Sequence, residues 1–190
     1  MLFRWFEARI DPFPADEPTK PPTGLVAFCL HYAWPVRKWL ALMSLTTAAI
    51  AVMEMAMYAF MGKLVDWLSE ADRATFLADE GWTLFWMAFL ILVLFPLTTL
   101  VGSLTIHQSL LGNFPMILRW QAHRYLLGQS LAFFQDEFAG RVATKVMQSS
   151  LAVREAVMKV LDVLLYVTVY FTSMVVLVGT SDLRLTAPLL

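Results

Sequence analysis

Residues 82–106 read WTLFWMAFLILVLFPLTTLVGSLTI. The stretch holds no charged side chain and stays apolar from end to end. As a helix rising 1.5 Å per residue it is long enough to cross a hydrocarbon core of roughly 30 Å. Pro96 within it is expected to kink the helix without ending it, because neighbouring helices can satisfy the freed carbonyl.

Two more stretches repeat the pattern. The first, about Trp39–Gly62, carries one ionisable residue, Glu54, and begins just after Arg37 and Lys38. The last, about 161–179, closes at Thr180-Ser181-Asp182. The chain of 190 residues is 59% hydrophobic and 15% charged, against roughly 45–50% and about 25% for a soluble domain. The apolar surplus is clustered in runs long enough to meet lipid, so the fold class predicted is an all-α, multi-span membrane helical bundle. A soluble helical bundle would have to bury those runs within a chain of this size.

The remaining segments are read outward from the spans. Residues 1–22 form a tail and a Pro-rich linker; the linker is expected to be extended and poorly ordered. Its first residues, Leu2-Phe3-Arg4-Trp5-Phe6, either lie on a membrane surface or form a mobile tail. Residues 23–34 are apolar and aromatic but too short to span, which fits an interfacial elbow helix. Pro35 disfavours helix at Trp34 and suits the start of a new helix. Residues 63–81 read as a polar loop with five acids and two bases. Residues 183–190 turn apolar again, as the start of a fourth span. No secretory leader is evident, since the first apolar run begins too late and is too long.

Lys and Arg number five in the first 38 residues, two in 63–81 and six in 107–160. By the positive-inside rule the N-terminus and 107–160 are cytoplasmic, and three spans alternate consistently. A helix over 82–128 would be about 70 Å long and one over 138–179 about 63 Å. Two such helices would project far past the bilayer and meet at a polar elbow, a rigid stalk suited to transmitting movement.

Net charge is -1, which gives no argument for nucleic acid, and the single cysteine, Cys29, excludes an intrachain disulfide. His31, His107 and His123 show no ligand spacing with Cys29, so no metal site is expected. Glu54, costly inside a span, can line a translocation cavity, bind a cationic substrate or carry a proton, or it can be a hydrogen-bonded structural residue. His107 and Asp162 lie almost equally far on either side of a hairpin centre near residues 134–135, so antiparallel helices would bring them to similar depth as a His–Asp pair. Glu155 and Lys159, spaced i, i+4, form at most a small helix-stabilising pair.

The elbow reads Leu131-Ala132-Phe133-Phe134-Gln135-Asp136-Glu137-Phe138-Ala139-Gly140-Arg141-Val142-Ala143-Thr144-Lys145-Val146. It resembles the first intracellular loop of ABC exporters with six spans per subunit. Phe133-Phe134, Gly140, Thr144-Lys145 and Val153-Arg154 fall on that family's motif positions. Lys145 departs from the usual Arg, and Ser149 from a common Asp. The order of segments from about residue 23 onward also resembles that family's transmembrane domain, so residues 23–190 are read as part of one.

The resemblance implies that about residues 130–137 form a coupling helix contacting a nucleotide-binding domain. Phe133 and Phe134 would anchor in a partner pocket, Gln135 and Asp136 would fix register, and Gly140 would follow. The other reading is an ordinary hairpin turn with the aromatics packed inward.

No G-x-x-x-x-G-K-[ST] occurs, so the chain lacks a phosphate-cradling loop. It is not expected to be catalytic alone. ATP and Mg would belong to a missing nucleotide-binding domain of a longer transporter, of which this is the N-terminal part. The resemblance further implies a second subunit, a bacterial inner-membrane location, and ATP-driven export of a hydrophobic or amphipathic substrate. The alternative is a membrane-anchored interaction or sensor module without transport.

Overall fold

The computed structural model describes residues 2–17, 19–70, 76–136 and 139–181. The fourth span expected at 183–190 lies outside them. So do Asp182, Glu137 and Phe138, and Asp72 and Arg73 of the outer loop. Every regular element among the described residues is helical. In order they are α1 (Leu2–Glu7), α2 (Leu25–Ala33), α3 (Arg37–Glu70), α4 (Phe76–Phe89), α5 (Phe95–Leu104), α6 (Leu111–Leu127), α7 (Leu131–Asp136) and α8 (Ala139–Ser181). Among the described residues three helical stretches are long and apolar enough to cross a membrane: Leu25–Leu68, Phe76–Leu127 and Gly140–Gly179. The fold is thus an all-α membrane helical bundle.

Several boundaries differ from those expected, each for a physical reason. Trp34 is helical (φ -56°, ψ -45°) despite the following proline. The backbone absorbs Pro35 by tightening to 3₁₀ over Trp34–Val36 and passes straight into α3. The segment read as a polar loop, 63–81, is helical up to Glu70 and again from Phe76. Its charges decorate helix ends instead of breaking them, and Trp67 meets Phe76 edge-on at 5.3 Å. At the far end helix continues through Thr180 to Ser181, past the expected stop.

Prolines inside the second stretch act through wide turns. Pro96 is preceded by a π-helical segment, Leu90–Leu94, and Pro115 by another, Thr105–Leu110. A proline removes one i→i−4 bond and crowds the carbonyl four residues back. One π turn opens the helix to make room.

The chain divides into two compact units, Met1–Met43 with Ser103–Asp162 and Ser44–Gly102 with Val163–Leu190. In the first, Val36, Met43, Leu110, Phe114, Ile117 and Leu118 form a closely packed core. Its N-terminal segment is docked, not free: Phe6 and Ile10 are buried, and Phe6 packs edge-on against Trp39 at 5.9 Å. In the second unit α3 and α5 approach closely at Gly102. A Cβ there would lie 3.1 Å from the Thr46 hydroxyl, the small-residue contact that lets membrane helices pack backbone to backbone. Trp82, Phe85, Trp86 and Phe89 form a ladder of ring contacts at the start of the second apolar stretch, where interfacial aromatics belong. Leu92, Val93, Leu94, Leu164 and Val167 remain exposed, as expected of surfaces that face lipid or other helices rather than water.

Candidate functional site: the elbow between α6 and α8

The elbow is built from local hydrogen bonds. Helix α6 ends where the Gly128 amide donates to the Tyr125 carbonyl (3.3 Å) and the Gln129 amide to that of Leu126 (2.9 Å). Ser130 then starts α7, its carbonyl and hydroxyl both accepting from the Phe133 amide, at 3.1 and 3.4 Å. A serine suits this position because its side chain can serve an amide of the first turn.

Helix α7 is six residues long, and Leu131 through Gln135 are exposed. Phe133 and Phe134 are 36% and 39% exposed, with their rings edge-on at 5.3 Å. More than a third of each residue's surface thus stays open. Phe134 lines an open cavity of about 400 Å³ together with Leu126, Leu127, Val146 and Met147, with Arg119 and His123 as its polar members. Asp136 is the last residue of α7. Gly140 sits in the first turn of α8; its carbonyl accepts from the Thr144 hydroxyl at 2.8 Å, and a Cβ on it would meet no atom within 4 Å.

Behind the elbow α6 and α8 are tied by polar contacts. The Arg119 Nε donates to the Ser150 hydroxyl at 2.9 Å, and that hydroxyl donates to the Met147 carbonyl at 2.8 Å. Ser150 is fully buried. Arg154 donates to the Leu111 carbonyl at 3.3 Å. This carbonyl is the one four residues before Pro115, whose missing N–H leaves it without its helical donor. Arg154 also pairs with Glu155 at 3.2 Å. Glu155 is also the acid spaced i, i+4 from Lys159. Lys145 and Ser149, the two departures from the loop pattern, both line a smaller cavity of about 220 Å³ with Phe28, Tyr32 and Leu118.

The N-terminal segment is held by one face of the same helical stretch, a feature the sequence reading missed. Ser109 donates to the Phe6 carbonyl (3.0 Å) and Asn113 to that of Glu7 (3.2 Å). Trp120 donates to the Pro14 carbonyl at 3.1 Å, and its ring meets Phe13 edge-on at 5.4 Å. Arg124 donates to the carbonyls of Pro14, Ala15 and Asp16 at 3.3, 2.8 and 2.7 Å. The end of α1 and the proline-rich linker thus have their carbonyls collected by side chains at helical spacing.

Of the other residues singled out from sequence, His107 lies in the π segment and Asp162 on α8, both exposed. Glu54 is half-buried in α3 and accepts from the Tyr166 hydroxyl at 2.6 Å. Tyr166 carried no sequence signal; only the packing of α3 against α8 selects it.

No protein-family model matches the chain, and no solved structure does. Over 182 residues, 95% of this chain, it is 44% identical to a Haemophilus influenzae protein described as an uncharacterized ABC transporter ATP-binding protein. The chain spans 30% of that relative's length. Over nearly its whole length the chain is thus similar to part of an ABC transporter protein, and among its described residues it carries three apolar helical stretches of membrane-crossing length.

Proposed function

We propose that this chain is the N-terminal part of the transmembrane domain of an ABC exporter, and that α7 is its first coupling helix. The observation that carries the reading is the pair Phe133 and Phe134, left exposed on a short separate helix beside an apolar cavity. A fold that needed only to turn between α6 and α8 would gain by burying two phenylalanines. Left outside, they suit a partner pocket, where aromatic anchors carry much of the binding energy. Gln135 and Asp136 fix register against the partner. The open space at Gly140 leaves room for a partner backbone to come close.

The partner is a nucleotide-binding domain holding ATP and Mg, and a second subunit completes the pathway. Closure of paired ATPase domains pushes on α7, and the Arg119–Ser150 and Arg154–Leu111 ties pass the movement along α6 and α8 as one unit. Residues 23–34 form the interfacial elbow, where Arg37 lies 4.0 Å over the exposed Trp34 ring. A tryptophan beside a cation is at home at a headgroup boundary. The spans cover about 39–62, 82–106 and 161–179, and 183–190 begins a fourth. The N-terminus is cytoplasmic, the membrane is a bacterial inner membrane, and His107 with Asp162 forms a pair near the inner interface. The substrate is hydrophobic or amphipathic.

The test is to read the coding sequence past Leu190. The exporter reading expects further apolar spans and then a G-x-x-x-x-G-K-[ST] motif. A stop codon at that point, with stable expression of the chain, would favour the membrane-anchored interaction module instead.

A further inference from the structure

The second unit brings together an unusual set of side chains within two apolar stretches. Glu54 on α3 accepts from the Tyr166 hydroxyl at 2.6 Å. The Tyr166 and Tyr170 rings stack at 5.6 Å with 19° between their planes. Tyr58 stands one turn beyond Glu54 on α3 and is 56% exposed. Stretches 39–62 and 163–179 contain no Lys, Arg or His, so neither supplies a positive charge for the carboxylate. Beside the cluster on the same two helices, Val52, Met55, Ala56, Ala59, Thr172 and Val176 help line an open, largely apolar cavity of about 360 Å³.

We infer that Glu54, Tyr58, Tyr166 and Tyr170 form a binding site for a lipophilic organic cation, with the adjoining apolar cavity taking its hydrocarbon part. A carboxylate inside a membrane is costly unless its charge is matched. Tyrosine rings present negative π faces, which favour large, weakly hydrated cations such as quaternary ammonium or phosphonium centres. A small hard metal ion would need six or more oxygen ligands, and one carboxylate with three phenols supplies too few. The hydrogen bond from Tyr166 holds the carboxylate in place. The stacked ring of Tyr170 and the exposed ring of Tyr58 offer faces to the ligand.

The inference deepens the proposed function by naming a substrate class, and it rests on that reading only in placing α3 and α8 in a membrane. Binding is therefore measured without ATP, so that its failure leaves the coupling reading standing and a failure of coupling leaves the site standing. The protein in lipid nanodiscs is titrated with tetraphenylphosphonium and, as neutral control, triphenylphosphine oxide. The cation is expected to bind more tightly than the neutral compound. Glu54→Gln should weaken cation binding at least about tenfold and leave the neutral compound unchanged. Tyr58→Leu should weaken the cation several-fold while Tyr58→Phe, which keeps the ring, does not; Tyr58 is exposed enough that neither change threatens folding. Equal binding of cation and neutral compound, or a Glu54→Gln affinity within about twofold of the parent, would overturn the site. A Glu54 that serves only as a proton carrier would give that second result.

Discussion

Arg154 works where a helix has lost one of its own bonds. Pro115 cannot donate to the Leu111 carbonyl, and the Arg154 guanidinium donates to it instead at 3.3 Å. The bond is exposed, so water can partly replace the donor and the net contribution is at the low end of about 0.5–1.5 kcal/mol. Arg154→Ala should therefore lower thermal stability in nanodiscs. In the Pro115→Ala background, where the helical N–H is restored, the same change should cost less. A double-mutant cycle is expected to give a coupling at the low end of about 0.5–3 kcal/mol; strictly additive losses would show that Arg154 acts elsewhere. At this scale the sequence was partly legible. Val153-Arg154 stood out by resemblance, and Glu54 by being an acid in an apolar run. What each one touches was not legible. Leu111 lies 43 residues from Arg154 and Tyr166 lies 112 from Glu54, and only the mutual rotation of packed helices decides such pairs.

At the scale of elements, helix type was readable from apolar run length, whereas helix ends were not. Charges at 63–70 and 76–81 suggested a loop, yet helical structure tolerates charge wherever one face is wet. Pro35 suggested a break, yet a 3₁₀ step carried the backbone through. The largest miss was the N-terminal segment. Pro-rich composition reads as an extended linker because it forms no internal hydrogen bonds, but the carbonyls of Pro14, Ala15 and Asp16 are what Trp120 and Arg124 collect, while Ser109 and Asn113 hold the end of α1 before it. Arg124→Ala removes three of those bonds at once. It should raise hydrogen exchange and protease cleavage around residues 6–16 while α6 stays protected; unchanged protection there would mean that Phe6 and Ile10 alone hold the segment. The contact at Gly102 makes a second element-scale prediction. Gly102→Val pushes branched atoms into Thr46 and should force α3 and α5 apart, lowering the melting temperature in nanodiscs by several degrees. Gly102→Ala, which only needs the Thr46 side chain to yield, should do much less.

For the whole molecule, the elbow joins the sequence to a working hypothesis. The paired phenylalanines, the glycine and the alternating run after it were legible as a motif, and the chain is 44% identical over nearly its whole length to an ABC transporter protein. Whether Phe133 and Phe134 face a partner or pack inward was left open by composition alone; only the resemblance pointed outward. A hydrophobic pair is usually more deeply buried than this; on the short α7 the two residues keep 36% and 39% of their surface open. The central claim is that these two rings seat on an ATPase domain. The most direct measurement places a photo-crosslinking amino acid at position 134, and separately at the exposed position 92 of the second apolar stretch, in the protein expressed in its native host. The products are then identified by mass spectrometry. The account predicts that position 134 links to a peptide from a domain carrying a phosphate-binding G-x-x-x-x-G-K-[ST] loop, and that position 92 does not. Efficient crosslinking at 134 to lipid, or to a protein without such a domain, would contradict it.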